Sequence, residues 1–218
     1  MISVKNYTEP PICEKEILRY AGCKSSEEEL LQLLRDCLKE VRPRLSYKVC
    51  YIELPVSIAE DVCDFGCMKV QSKDLVKNLQ GCEKAILFGA TVGVEIDRLI
   101  AKYSRISPSK ALMFQAIGAE RIEALCDAFC EEIDNETRPR YSPGYGDVPL
   151  EIQREVFAIL NCGKNIGLTL NDSLLMSPSK SVTAFVGVGV SQERRGKNEH
   201  QLNKCAVCNN IDCSYREI

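Results

Sequence analysis

The apolar positions of the chain fall into a few stretches of clear period, separated by stretches with none. Leu30, Leu31, Leu33, Leu34, Cys37, Leu38 and Val41 recur at helical spacing and predict an amphipathic helix. Ser25-Ser-Glu-Glu-Glu29 reads as its capping box with Ser26 as N-cap, and Pro43 closes it. Tyr47 to Leu54 alternates as a strand halted by Pro55, and Lys84 to Thr91 is a short apolar run that predicts a buried strand. Helices are expected over Val94 to Tyr103 and from Ser107-Pro108 onward, where Ser caps and Pro takes the first helical position. The second of these carries an apolar stripe of Leu112, Ala116, Ala119, Leu125, Cys126, Phe129 and Ile133.

Thr137 to Pro149 breaks the pattern, because three prolines and two glycines in thirteen residues exclude regular structure. An amphipathic helix follows from about Pro149 to Asn161, with Ile152, Val156, Phe157 and Leu160 facing inward. Short strands are expected around Leu168–Leu170, Ser173–Met176 and Ser181–Val190. Helices and strands mix without clean alternation, which predicts an α+β fold over residues 1–190. Residues 191–218 turn polar and read as a linker leading to a cysteine-containing tail.

Composition narrows the function classes. With 218 residues, 45% hydrophobic, and a net charge of −3, the chain can bury a core and is not intrinsically disordered. The slight acidity argues against a nucleic-acid binder, which needs a basic excess to neutralise phosphates. No apolar run approaches the ~20 residues of a membrane span, and the first ten residues lack a signal-peptide core, so the expected place is the cytoplasm. Thirteen cysteines without an export signal point to reduced thiols, most of them small buried hydrophobes.

The irregular stretch is the first candidate for ligand chemistry. It places Arg140, Tyr145 and Asp147 within reach of one another. A guanidinium offers a planar fork to a carboxylate, and a phenol ring offers an aromatic face to a cation. Gly144 permits a positive φ or a close backbone approach. An ordinary connecting loop with a solvated Arg is the alternative reading of the same residues.

Arg140-Tyr-Ser-Pro-Gly-Tyr145, the helix after it, and Ile166-Gly-Leu-Thr-Leu-Asn-Asp-Ser-Leu-Leu-Met-Ser-Pro-Ser-Lys-Ser-Val182 together resemble the activation domain of cobalamin-dependent methionine synthase. That family carries an R-P-A-P-G-Y-like motif, a helix and an I-G-x-x-L-T-x-S-x-x-M-x-P-x-x-S-V pattern in the same order. Here Tyr141 and Ser142 replace Pro-Ala, and nothing after Val190 resembles the family's aromatic end. The resemblance implies a twisted, mainly antiparallel sheet flanked by helices, and binding of S-adenosylmethionine. Carried over by motif, Arg140 would clasp the methionine carboxylate and Tyr145 would line the pocket beside the sulfonium. Gly144 and Asp147 would give close backbone contacts, and Met176, Ser177 and Ser181 would shape the floor, unless they simply form a turn between core strands.

The resemblance also implies methyl transfer to a reduced cobalamin. The only histidine, His200, lies outside any D-x-H-x-x-G corrinoid motif, so the cobalamin is expected on a partner: a methionine synthase lacking this domain, or another corrinoid protein. A reductant such as flavodoxin or ferredoxin would feed it. A non-catalytic S-adenosylmethionine-sensing or corrinoid-binding module is the alternative. Cys205, Cys208 and Cys213 form a trio that suits zinc or an iron–sulfur cluster, with His200, Cys162 or another thiol as fourth ligand; a metal-binding electron carrier, a redox dithiol or a plain tail are the other readings. Cys63-x3-Cys67 lacks the third cysteine of a radical S-adenosylmethionine loop, since position 70 is Val. Cys126 and Cys130, four apart on a helix, read as core packing, and Gly187-Val-Gly189 opens no helix and is not a nucleotide loop.

Overall fold

The computed structural model of the chain describes residues 1–23, 27–133 and 137–190. In chain order they form β1 (Ser3–Tyr7), α1 (Glu14–Tyr20), α2 (Glu28–Val41), a 3-10 turn (Arg42–Arg44) and β2 (Tyr47–Pro55). Next come β3 (Ser57–Ala59), β4 (Val62–Asp64), β5 (Lys69–Gln71), α3 (Lys73–Leu79), β6 (Cys82–Thr91), α4 (Glu95–Ile106) and α5 (Pro108–Ile133). The remainder is α6 (Ile152–Leu160), α7 (Cys162–Ile166), β7 (Thr169–Leu170), β8 (Met176–Ser177) and β9 (Ser181–Val190).

The main sheet has the order β1-β2-β6-β9, and every neighbouring pair is antiparallel. β6 lies inside it, which explains why its sequence is a nearly continuous apolar run. Side chains alternate across the sheet, so successive residues of one strand enter different cores. Ile86, Phe88 and Ala90 join α1, α2, α4 and α5 on one face. Ala85 and Leu87 join β4, β5, α3, α6 and α7 on the other. A fully buried Phe such as Phe88 or Phe114 contributes about 1.5–3 kcal/mol of transfer free energy. The expected α+β class, a mainly antiparallel sheet flanked by helices, is what the chain forms.

Of these elements, α5 is the one buried nearly all round, and its predicted stripe needs correction. Leu112 is 54% exposed, whereas Met113, Phe114, Ile117, Glu120 and Arg121 are buried. A helix packed by α1, α2, α4 and the sheet has no single apolar face for periodicity to find. Arg121, with no exposed surface, ion-pairs with Glu120 and donates to the carbonyls of Pro10 and Pro11, each at 2.6 Å. Glu120 in turn accepts from the Cys13 backbone N–H at 3.0 Å, so this buried pair fastens the segment between β1 and α1 onto the helix.

Other departures are local. α2 begins at Glu28 with Glu27 at the N-cap position, and the predicted cap Ser26 lies outside the described residues. The helix expected from Pro149 starts at Ile152. The strand expected at Ser173–Met176 is instead a turn into the two-residue β8. There the Asn171 carboxamide oxygen accepts from the Leu175 N–H at 2.9 Å, and Leu174 takes a φ of 62°. Among the described residues no helix is long and apolar enough to cross a membrane.

Candidate functional site

β9 is an edge strand, and the irregular stretch covers that edge. Arg138 N–H donates to the Gly187 carbonyl, and Tyr141 exchanges both backbone hydrogen bonds with Phe185, each at 2.9 Å. The chain then folds tightly over Ser142–Val148. Tyr145 N–H reaches the Ser142 carbonyl at 3.1 Å across Pro143 and Gly144, the latter at φ 82°, which is the residue pair that such a turn demands. Val148 N–H closes a second turn on Tyr145 at 3.1 Å, and Gly144 N–H returns to the Val148 carbonyl at 3.0 Å.

Gly146 shows how closely this loop is seated. A Cβ there would stand 2.1 Å from the Tyr141 hydroxyl and 2.6 Å from Asp74 Oδ2, and its φ is 56°. The Tyr141 hydroxyl thus meets Asp74 beneath the loop, and burial together with that carboxylate pushes its pKa up to about 12. Tyr141 is 8% exposed and packs with Phe185 in the second core, while Tyr145 stands edge-on to it with ring centroids 5.4 Å apart. Tyr145 is 55% exposed, an aromatic ring presented to the surface.

Asp147 turns toward α3. Its carboxylate accepts from the Ser72 hydroxyl, from Lys73 N–H at 2.8 Å and from Asp74 N–H at 3.3 Å, while Ser72 Oγ caps Leu75 N–H at 2.9 Å. The Ser72 hydroxyl and these backbone donors hold the carboxyl below its usual range, outweighing a slight desolvation. Asp147 therefore staples the loop to the start of α3.

Arg140 goes the other way. In an extended segment, neighbours point to opposite sides, so Tyr141 enters the second core and Arg140 faces α5. Its guanidinium binds Glu123 Oε2 at 2.5 Å and also Asp127, two carboxylates one helical turn apart, with the side chain 12% exposed. Burial opposes the charge, but the neighbouring Cys126 sulfur and both carboxylates outweigh it, and the pKa is raised. The two side-chain bonds use two of the five N–H donors that a guanidinium carries. Glu123 and Asp127 also line a cleft of about 340 Å³ against Pro10, Pro11 and Tyr20. No motif in the sequence marks that cleft; the i, i+4 spacing of Glu123 and Asp127 is its one local signal.

Gly144, Tyr145 and Asp147 thus come together, Arg140 lies across the strand edge from them, and Ser181 is elsewhere. Ser181 pairs with Thr91 at the far end of β9, roughly 13 Å along the strand from Phe185. Its hydroxyl lies 2.8 Å from both Thr91 Oγ1 and the Pro178 carbonyl, inside the protein. Met176 and Ser177 form β8. Cys205, Cys208, Cys213 and His200 lie outside the described residues. Cys162 is 1% exposed in the second core, and among the described residues no group of three or more His, Cys, Asp or Glu is arranged to hold a metal.

No family model and no curated protein matches the sequence. Among solved structures the chain is similar to a crystal structure of the MetH reactivation domain bound to AdoHcy, with a TM-score of 0.67 over 88% of this chain and 79% of that one. Identity is 14%, and what the two share at that level is the fold: this chain has the fold of a methionine synthase reactivation domain.

Proposed function

We propose that the chain binds S-adenosylmethionine along the covered edge of β9 and supplies its methyl group to cob(I)alamin held by a partner protein. The observation that carries this reading is the coincidence of two features. One is a fold shared with a domain solved with AdoHcy bound. The other is an Arg140-x-x-x-Gly144-Tyr145 loop seated on a sheet edge, with an aromatic ring exposed and glycine backbone uncovered. In this reading the Tyr145 ring sits beside the sulfonium, the backbone around Gly144 and Asp147 gives close contacts, and Arg140 gives remaining N–H donors to its carboxylate. Asp147 holds the loop in place, while Ser181, bonded to Thr91 and Pro178 at the other end of β9, stays outside the pocket.

The partner would be a cobalamin-dependent methionine synthase or another corrinoid protein, and the electron a gift of flavodoxin, ferredoxin or a similar cytoplasmic donor. Methyl transfer breaks the carbon–sulfur bond, its electron pair stays on sulfur, and the cobalt supplies the pair for the new bond. No general acid or base is needed, so positioning is what this chain contributes.

Calorimetric titration of the full chain with S-adenosylmethionine is the first test. Wild type is expected to bind, and Arg140→Ala and Tyr145→Ala to weaken binding about tenfold or more, the loss of one or two charge-assisted or cation–π contacts. Thermal melts of each variant separate loss of ligand from loss of fold. Absence of wild-type binding at millimolar ligand would overturn the reading. If binding holds, an anaerobic assay with a cob(II)alamin-loaded partner and a low-potential reductant separates methyl donation from mere sensing, because only the donor forms methylcobalamin.

A further inference from the structure

The ten cysteines among the described residues are all free thiols. Two of them, 112 positions apart in the chain, share one small space in the second core. Cys50 on β2 pairs in register with Gly89 on β6, and Gly89 has no side chain to fill the face of the sheet between them. A Cβ built at Gly89 would lie 3.4 Å from Cys162 Sγ and 3.6 Å from Cys50 Sγ. Both residues are buried, at 0% and 1% exposure. Both sulfurs therefore border the same gap left by Gly89, and the two thiols interact across it.

We propose that Cys50 and Cys162 are a thiol-oxidation site that closes to a reversible disulfide under a two-electron oxidant of the azo or peroxide class. The arrangement around them favours closure over other fates. Cys162 opens α7, a helix of five residues bounded by Asn161 at φ 47° and Gly167 at φ 71°. Left-handed residues bound α7 at both ends, while the Asn165 carboxamide donates to the Leu160 carbonyl at 2.7 Å and joins α7 to the end of α6. The hydrogen bond between the thiols favours loss of the first proton despite burial, and holds the second more tightly. Cys126 and Cys130, by contrast, are held one turn apart on the same helix, α5.

With diamide as oxidant the step balances as follows. The Cys50 sulfur adds to one azo nitrogen, the Cys162 sulfur attacks that sulfur, and the nitrogen leaves. Two electrons pass from the thiols to the azo group, and both thiol protons end on the resulting hydrazine. The new bond ties β2 to α7. Through α6 it braces Val156 and Leu160, which share a core with Tyr141 and Val148 under the loop. This site stands independently of the ligand proposed above.

The test uses the full native chain treated with diamide, alkylated with N-ethylmaleimide and digested without reduction. Mass spectrometry is expected to find the Cys50 and Cys162 peptides joined, lighter by two hydrogens, and separated by dithiothreitol. The melting temperature is expected to rise by about 5 °C or more, since the link closes a long loop of chain. Cys162→Ser and Cys50→Ala are expected to show neither the joined peptide nor the rise; two variants guard against one that fails to fold. Recovery of both cysteines unlinked, or bonded to other partners, would overturn the proposal.

Discussion

The two faces of the sheet are built by different means. The face covered by α1, α2, α4 and α5 rests on three helices of 12 to 26 residues beside the seven-residue α1, and its core runs unbroken from Ile17 to Val188 through Phe88, Phe114 and Phe129. The opposite face is assembled from three-residue strands, helices of five to nine residues and the turns of 142–148. Its core includes Tyr141 and Val148 of the loop itself. Long helices carry stability through burial that any similar set of apolar residues would supply. Short pieces held by specific hydrogen bonds instead fix the direction of individual side chains. The loop of the candidate site belongs to the second kind, where Asp147, Tyr141 and Gly146 depend on Ser72, Lys73 and Asp74, while Arg140 reaches across to α5.

Three substitutions test that division, the largest effect first. Phe114→Ala empties a fully buried position packed on Tyr103, and is expected to cost about 3–5 kcal/mol in urea unfolding. Affinity for S-adenosylmethionine is expected to stay within about twofold in the folded protein, because the loop stands on the other face. A large affinity loss there would erase the distinction between the faces.

Gly146→Ala is next. Its new methyl meets the Tyr141 hydroxyl and demands a left-handed backbone from Ala, which is expected to cost about 1–3 kcal/mol. Unlike Phe114→Ala, it is expected to weaken the ligand about tenfold or more, because relief of the clash moves the turn. Equal binding by calorimetry would show that the seating of the loop does not matter.

Asp147→Asn is the smallest, about 0.5–1 kcal/mol for a weakened cap at an exposed site, and its signature is pH dependence. The folded carboxyl titrates below the ordinary value of 3.8, so its contribution is present above that value and is lost as pH falls through the lower folded one. Urea midpoints of wild type and variant are expected to differ at neutral pH and to converge as pH falls through the lowered range of the folded carboxyl. A gap that stays constant with pH would mean that the charge is not what caps α3.

Legibility in the sequence followed the same line. α2, β2, α4 and β9 are visible because each carries a pattern over eight or more residues, β6 because it is one unbroken apolar run, and α5 because Ser107-Pro108 marks its start. β1 is not, since an edge strand with the half-exposed sequence Ser3-Val-Lys-Asn-Tyr7 need not alternate, and β3, β4 and β5 are three residues each. Within the site, the Pro143-Gly144 turn was readable because its residue preferences are local.

The sequence by itself determined the class of fold, the place of the turn-rich loop and the residue types on it, because period, proline and glycine act through neighbours in the chain. Only the tertiary structure decided that Arg140 meets Glu123 and Asp127, that Asp147 caps α3, that Ser181 stands at the far end of β9 and that Cys50 meets Cys162. Each of those is a pairing between residues more than ten positions apart, set by which strands lie side by side and which face a side chain takes; a shift of one residue in register would exchange every partner.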